Sequence, residues 1–186
     1  IVESAILSDV MLYYRRFASF YVLFGNGQVA VVGPASLLRQ ALRESMEGVR
    51  ERVLWLLSLI YSAKDIQGVW GALNSGDPIK QANAVELLDN FLTGEVKRYS
   101  FPLYGDALEP VRFGVALGFL GWGSLDATSA LRMLLEQEDI WLTAATVWEI
   151  GVRRLTEFRE EIVKLLKSEN ALLRETAELV IHRLQN

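Results

Sequence analysis

The chain has a single histidine, His182, and no cysteine. A serine–histidine–acid triad needs a histidine set between a nucleophile and a carboxylate, and a histidine metal site needs several ligands converging. One histidine on the polar face of the last expected helix supplies neither. Thiol nucleophiles, disulfides and thiolate zinc sites are ruled out. Carboxylates gather at Glu136, Glu138 and Asp139 and again at Glu157, Glu160 and Glu161. Catalytic pairs must be buried or mutually close for their pKa values to separate. These groups instead fall at the end of one expected helix and the start of another, where acids serve solubility and capping. The GNG and GWG stretches at 25–27 and 121–123 lack the lysine and the strand-to-helix setting of a phosphate loop. No catalytic, cofactor-binding or metal-binding residue is assigned, and the expected role is not enzymatic.

Composition sets the frame for any other role. With 186 residues, 51% of them apolar and 23% charged, the chain can bury roughly 70% of its unfolded surface, so it folds. A formal charge of −4 argues against a nucleic-acid surface, which is normally basic. The chain begins at Ile1 and is expected to be part of a longer polypeptide. Residues 17–38 carry no charge, a length that raises a membrane span. Gly25-Asn26-Gly27-Gln28 and Gly33-Pro34 break it into short pieces, however. It reads as a helix end, a connector and a helix start, or alternatively as a small hairpin turning at Asn26-Gly27. No direct membrane insertion of this segment is expected.

The elements that must position any functional side chain follow from one recurring pattern. Asp77 is a good N-cap and Pro78 suits the first helical position. Gln81, Ala84, Val85, Leu88, Phe91 and Leu92 then share one face, opposite Lys80, Asn83, Glu86 and Asn90. About 31 residues on, Glu109-Pro110-Val111-Arg112 heads the run FGVALGFL. Asp139 heads IWLTAATVWEIGV two steps from Asp77, and Asn170 heads ALLRETAELVIHRL one step later. Each cap follows an apolar segment, so the spacing predicts a repeated two-helix unit. Asp126 should cap DATSALRMLLEQ and Thr156 should cap EFREEIVKLLKS, while Pro102 should weaken the helix over EVKRYSFPLYG.

Upstream, a first helix is expected over 4–23 with Met11, Tyr14 and Phe20 buried and the Arg15-Arg16 pair solvated. A second, capped by Ser36 and running to about Tyr61, should bury Leu38, Leu42, Val49, Val53, Leu56, Leu57 and Ile60 and wet Arg43, Glu47, Arg50 and Glu51. A short helix from Lys64 leads into the repeats. The expected organisation is an N-terminal helical brace over 1–62 and one continuous array over 63–186. A two-helix unit cannot bury both of its apolar faces, so such units stack into a right-handed superhelix, an all-α solenoid.

The caps and spacing resemble HEAT repeats, in which a turn aspartate precedes a second helix bearing Val-Arg and then small residues. Asp77 with Lys80 and Ala84, Val111-Arg112 with Ala116, Asp139 with Ala144 and Ala145, and Asn170 with Arg174 and Ala177 occupy those positions. The third unit departs, having Leu142-Thr143 in place of the basic residue. Paired His-Glu motifs, as in HEAT-type hydroxylases, are missing. Residues 50–105, with LLSLIY, the following DI and SGD with ANAVELLDN, resemble the HEAT-type segment of bacterial proteins similar to ATP/ADP translocases. That resemblance implies a cytoplasmic regulatory or docking segment tethered to a membrane domain outside the chain, with no transport residue here.

Solenoids bind through the concave surface of their second helices. On that expectation Lys80, Asn83, Arg112, Glu149, Arg174, Glu178 and His182 face a protein partner. Trp141 and Trp148, two turns apart, are either aromatic core or anchors on the same face, since interface hot spots favour tryptophan. A free-standing adaptor and an enzyme-associated repeat subunit resembling a chromophore lyase are the competing readings.

Overall fold

The computed structural model describes residues 1–25, 36–105 and 107–185, and every regular element among them is helical. In chain order these are α1 (Val2–Phe24), α2 (Leu37–Leu57), α3 (Ala63–Leu73), α4 (Pro78–Phe91), α5 (Gly94–Ser100), α6 (Glu109–Leu120), α7 (Ala127–Leu135), α8 (Ile140–Arg153), α9 (Arg159–Leu165) and α10 (Ala171–Gln185). Two 3₁₀ turns, Phe101–Leu103 and Thr156–Phe158, join α5 and α9 to their neighbours. The alternatives at Asn26-Gly27 lie outside the described residues. No helix among the described residues is long and apolar enough to cross a membrane.

The helix starts follow the capping residues. The Asp77 carboxylate accepts from the N–H groups of Ile79 and Lys80. Asp126 accepts from Ser129 N–H, which holds its carboxyl below the usual range. Asp139 accepts from Leu142 N–H and Asn170 from Leu173 N–H. Together with Leu108, which precedes α6 without a side-chain cap, the positions before α4, α6, α8 and α10 recur every 31 residues. Pro102 does end α5, the chain tightening into a 3₁₀ turn there. Thr156 does not cap as expected. The backbone takes a 3₁₀ turn at that point, so α9 begins at Arg159 with Phe158 before it.

The chain divides into two compact units, residues 1–18 with 46–124 and residues 19–45 with 125–186. In the first unit, α3 packs on α4, burying Ile66, Val69, Ala84 and Leu88. Val10, Tyr14, Val49, Val53, Leu57, Leu92 and Ala116 complete its core. Tyr14 packs edge-on to Phe119, its hydroxyl donates to Tyr99 O at 2.8 Å, and Tyr99 meets Phe119 at 4.3 Å between ring centres. Asp9 and Arg52 form a two-pronged pair at 2.9 and 3.2 Å between α1 and α2. Met11 is exposed rather than buried, and Arg16 is buried rather than solvated. Ile60 is exposed because α2 stops at Leu57, before the expected stripe ends.

In the second unit α8 is the central element. Leu142 to Val147 and Glu149 to Gly151 are all buried, while α7 and α10 pack against it. Gly151 makes the approach of α10 possible: a Cβ there would lie 2.7 Å from Val180 Cγ2. Phe158 fills the base under α9, covered by Arg132, which also pairs with Glu161 at 3.2 Å.

Candidate functional site

Four side chains one 31-residue step apart do the same thing. Gln81 Nε2 donates to Leu73 O at 3.0 Å, and Arg112 Nη2 donates to Gly105 O at 2.9 Å. Thr143 Oγ1 donates to Gln137 O at 3.3 Å, and Arg174 Nη1 donates to Ser168 O at 2.7 Å and, in a second bond, to Glu169 O at 2.8 Å. Each sits in the first turn or so of its helix and reaches back to the carbonyls of the loop that delivers the chain to the cap. Those carbonyls belong to the ends of preceding turns and otherwise lack helical partners. The bond ties the preceding segment to the start of each of these four helices.

Arg112 and Arg174 are half-buried, each with its guanidinium bonded to loop carbonyls, and that of Arg112 also lies 5.5 Å from the Phe17 ring centre. The expectation that Glu149 faces a partner is corrected. This residue is 1% exposed and its carboxylate accepts from Ser36 Oγ and from Arg153 Nε, each at 2.8 Å. The central position of α8 leaves it no polar face.

The other expected surface residues do reach the exterior. In the first unit Lys80 and Asn83 are exposed on α4, Lys80 at 3.9 Å from Asp77. In the second, Trp141 is 49% exposed at the start of α8. Trp148 is half-buried, with the Arg183 guanidinium 4.1 Å from its ring centre. Glu178 and His182 line a shallow depression on α10 with Glu175, Leu179 and Arg183. Leu172 and Leu179 on the same helix are 40% and 58% exposed. The two acidic clusters hold no metal geometry among the described residues.

The sequence reading missed Gln81 and Thr143 as members of the periodic set. The spacing that located the caps also locates them, but their side chains share no chemistry with arginine beyond one hydrogen-bond donor. It also missed that Arg50, Gln81, Tyr104 and Arg112 line a common cavity in the first unit. Comparison with family models, with curated proteins and with solved structures finds no match to this chain.

Proposed function

We propose that the chain is a non-catalytic, HEAT-like solenoid scaffold that presents its second helices to a protein partner. The observation that carries the repeat reading is the four-fold recurrence, at 31-residue steps, of a side-chain donor bound to the preceding loop. The phase of the helix starts supports it, because helices α4, α6, α8 and α10 begin at 78, 109, 140 and 171. The interaction reading is supported by large apolar side chains left outside on α8 and α10, Trp141 and Leu179 above all. Tryptophan that loses half its exposed surface to a partner contributes heavily to affinity. Lys80 and Asn83 in the first unit, and Trp141, Trp148, Glu178 and His182 in the second, are the partner-facing residues of this reading. The resemblance of residues 50–105 to translocase-like proteins supports reading the scaffold as a cytoplasmic regulatory or docking domain of a larger bacterial membrane protein.

The test is a photo-crosslinking residue placed at Trp141 in native cells, with Glu95 as the exposed control position, read by blotting membrane and soluble fractions. A discrete adduct from position 141 alone supports the binding face. A parent band well above 20.9 kDa in the membrane fraction supports the tether. Equal or absent adducts from both positions would sink the binding reading. A soluble band near the mass of this chain would remove the tether and leave the adaptor.

A further inference from the structure

The cavity in the first unit draws on four elements. Arg50 comes from α2, Leu73 from α3, Pro78, Gln81, Ala82 and Val85 from α4, and Arg112 from α6, with Leu103, Tyr104 and Gly105 closing it at the 3₁₀ turn. Its volume is about 460 Å³, within the range of small-molecule sites. Leu73, Pro78, Ala82 and Val85 contribute aliphatic side chains to its lining, and Arg50 and Arg112 contribute two guanidiniums. The Nε–H groups of Arg50 and Arg112 are both buried and make no hydrogen bond among the described residues. Unpaired buried donors are costly, and a charged donor more so. Arg50 spends Nη1 on Glu47 at 2.7 Å, and Arg112 spends Nη2 on the Gly105 carbonyl. Among the described residues no ion pair involves Arg112. The Tyr13 phenol hydrogen-bonds the Arg112 side chain and lies within the field of Arg50. The Tyr104 hydroxyl donates to Arg50 O at 2.7 Å and its ring lies under that guanidinium, which fixes Arg50 in place. With one carboxylate, Glu47, paired to Arg50 and none paired to Arg112 among the described residues, the two guanidiniums leave an excess of positive charge in the cavity.

We propose that this cavity binds a small organic oxyanion, a carboxylate or phosphate monoester carrying an apolar body. The oxyanion takes the free donors of Arg50 and Arg112, for which a planar guanidinium is the matching partner. The apolar body lies on Leu73, Pro78, Ala82 and Val85. This reading does not depend on the partner surface of the second helices.

The test is a ¹H–¹⁵N spectrum of the arginine Nε–Hε groups in the full chain, titrated with phenyl phosphate, benzoate, inorganic phosphate and, as the neutral control, benzyl alcohol. Saturable shifts of the Arg50 and Arg112 signals with phenyl phosphate or benzoate, half-complete below about 1 mM, are the expected result. Inorganic phosphate should bind at least about tenfold more weakly for lack of an apolar body. Arg50→Gln and Arg112→Lys should each weaken binding about tenfold or more, lysine being unable to replace the fork. Shifts that stay linear, that benzyl alcohol reproduces, or that survive Arg50→Gln unchanged would overturn the proposal. Should Arg112→Lys lose its far-ultraviolet circular dichroism, the wild-type titration and Arg50→Gln decide alone.

Discussion

Ser36, at the head of α2, donates its hydroxyl to the buried carboxylate of Glu149 on α8 across 2.8 Å, although 113 residues separate them in the chain. The same oxygen of Ser36 accepts from Arg39 N–H at 3.2 Å, so one side chain both caps α2 and ties it to the central helix. Glu149 is held from its other side by Arg153, whose guanidinium also covers Phe24. Removing one member of a buried charged pair leaves the other without compensation. Glu149→Ala should therefore destabilise the protein by about 3 kcal/mol, and Ser36→Ala by about 1–2 kcal/mol through the lost cap and bond. Urea unfolding at neutral pH measures both. A Glu149→Ala midpoint equal to that of the wild type would refute the assignment.

Gly151 on α8 faces Val180 on α10 with no room for a side chain. The three nearest atoms to an added Cβ, at 2.7 to 3.2 Å, all belong to Val180. Valine is stiff at χ1 and cannot swing aside. Gly151→Ala should cost about 1–3 kcal/mol despite the better helix propensity of alanine. In Gly151→Ala/Val180→Ala the two contacts to the valine methyls are gone and only the 3.2 Å approach to Cβ remains, so the double variant should be more stable than the sum of the single changes predicts, by at least about 1 kcal/mol. Additive effects in thermal denaturation would show that the two residues do not limit the packing.

The helix starts were legible because capping is local: an aspartate or asparagine carries its acceptor to the N–H groups two or three residues on, whatever lies around it. Thr156 shows the limit, since a competing 3₁₀ turn overrode a suitable cap residue. The buried faces of α2 and α4 were legible because each buries one stripe. Glu149 was not, because α8 is covered almost all round and periodicity there distinguishes nothing. Thr143 looked like a break in the expected pattern, yet its hydroxyl makes the bond that arginine makes 31 residues earlier and 31 residues later. Sequence similarity follows residue type, whereas the fold needs only a donor at that place. The cavity of Arg50 and Arg112 draws on residues 62 positions apart, beyond any local pattern.

Arg154 ends α8 in the left-handed conformation, φ 53°, with Leu155 N–H bonded to Ile150 O at 3.1 Å. At the end of α6 the same closure is made by Gly121, φ 68°, with Trp122 N–H on Leu117 O at 3.0 Å. A side chain in this region is strained by contact of its Cβ with the following carbonyl. Arg154→Gly should raise stability by about 0.5–1 kcal/mol. Arg154→Ala, which keeps the Cβ and removes the charge, should leave the melting temperature nearly unchanged. A gain for alanine equal to that for glycine would point to the charge instead of the backbone.

Three phenols of the first unit titrate against the fold. Burial pushes Tyr13, Tyr14 and Tyr104 above the ordinary tyrosine value of 10.0, with Arg112 and Arg50 opposing the effect at Tyr13, Arg112 at Tyr14 and Arg50 at Tyr104. The unfolded chain releases these protons near pH 10, the folded chain only at higher pH. Between the two values the native state binds more protons than the unfolded state, so stability falls as pH rises. Below about pH 10 the contribution is fully present. The urea midpoint should therefore hold with respect to these groups up to that pH and drop steeply above it. In parallel, phenolate absorbance of the native protein at pH 11 should fall short of the urea-unfolded chain by at least the two phenols of Tyr14 and Tyr104 and recover as the fold is lost. Full phenolate absorbance at pH 11, with the helical circular dichroism intact, would show that these side chains reach solvent and that the core drawn around Tyr14 and Tyr104 is wrong.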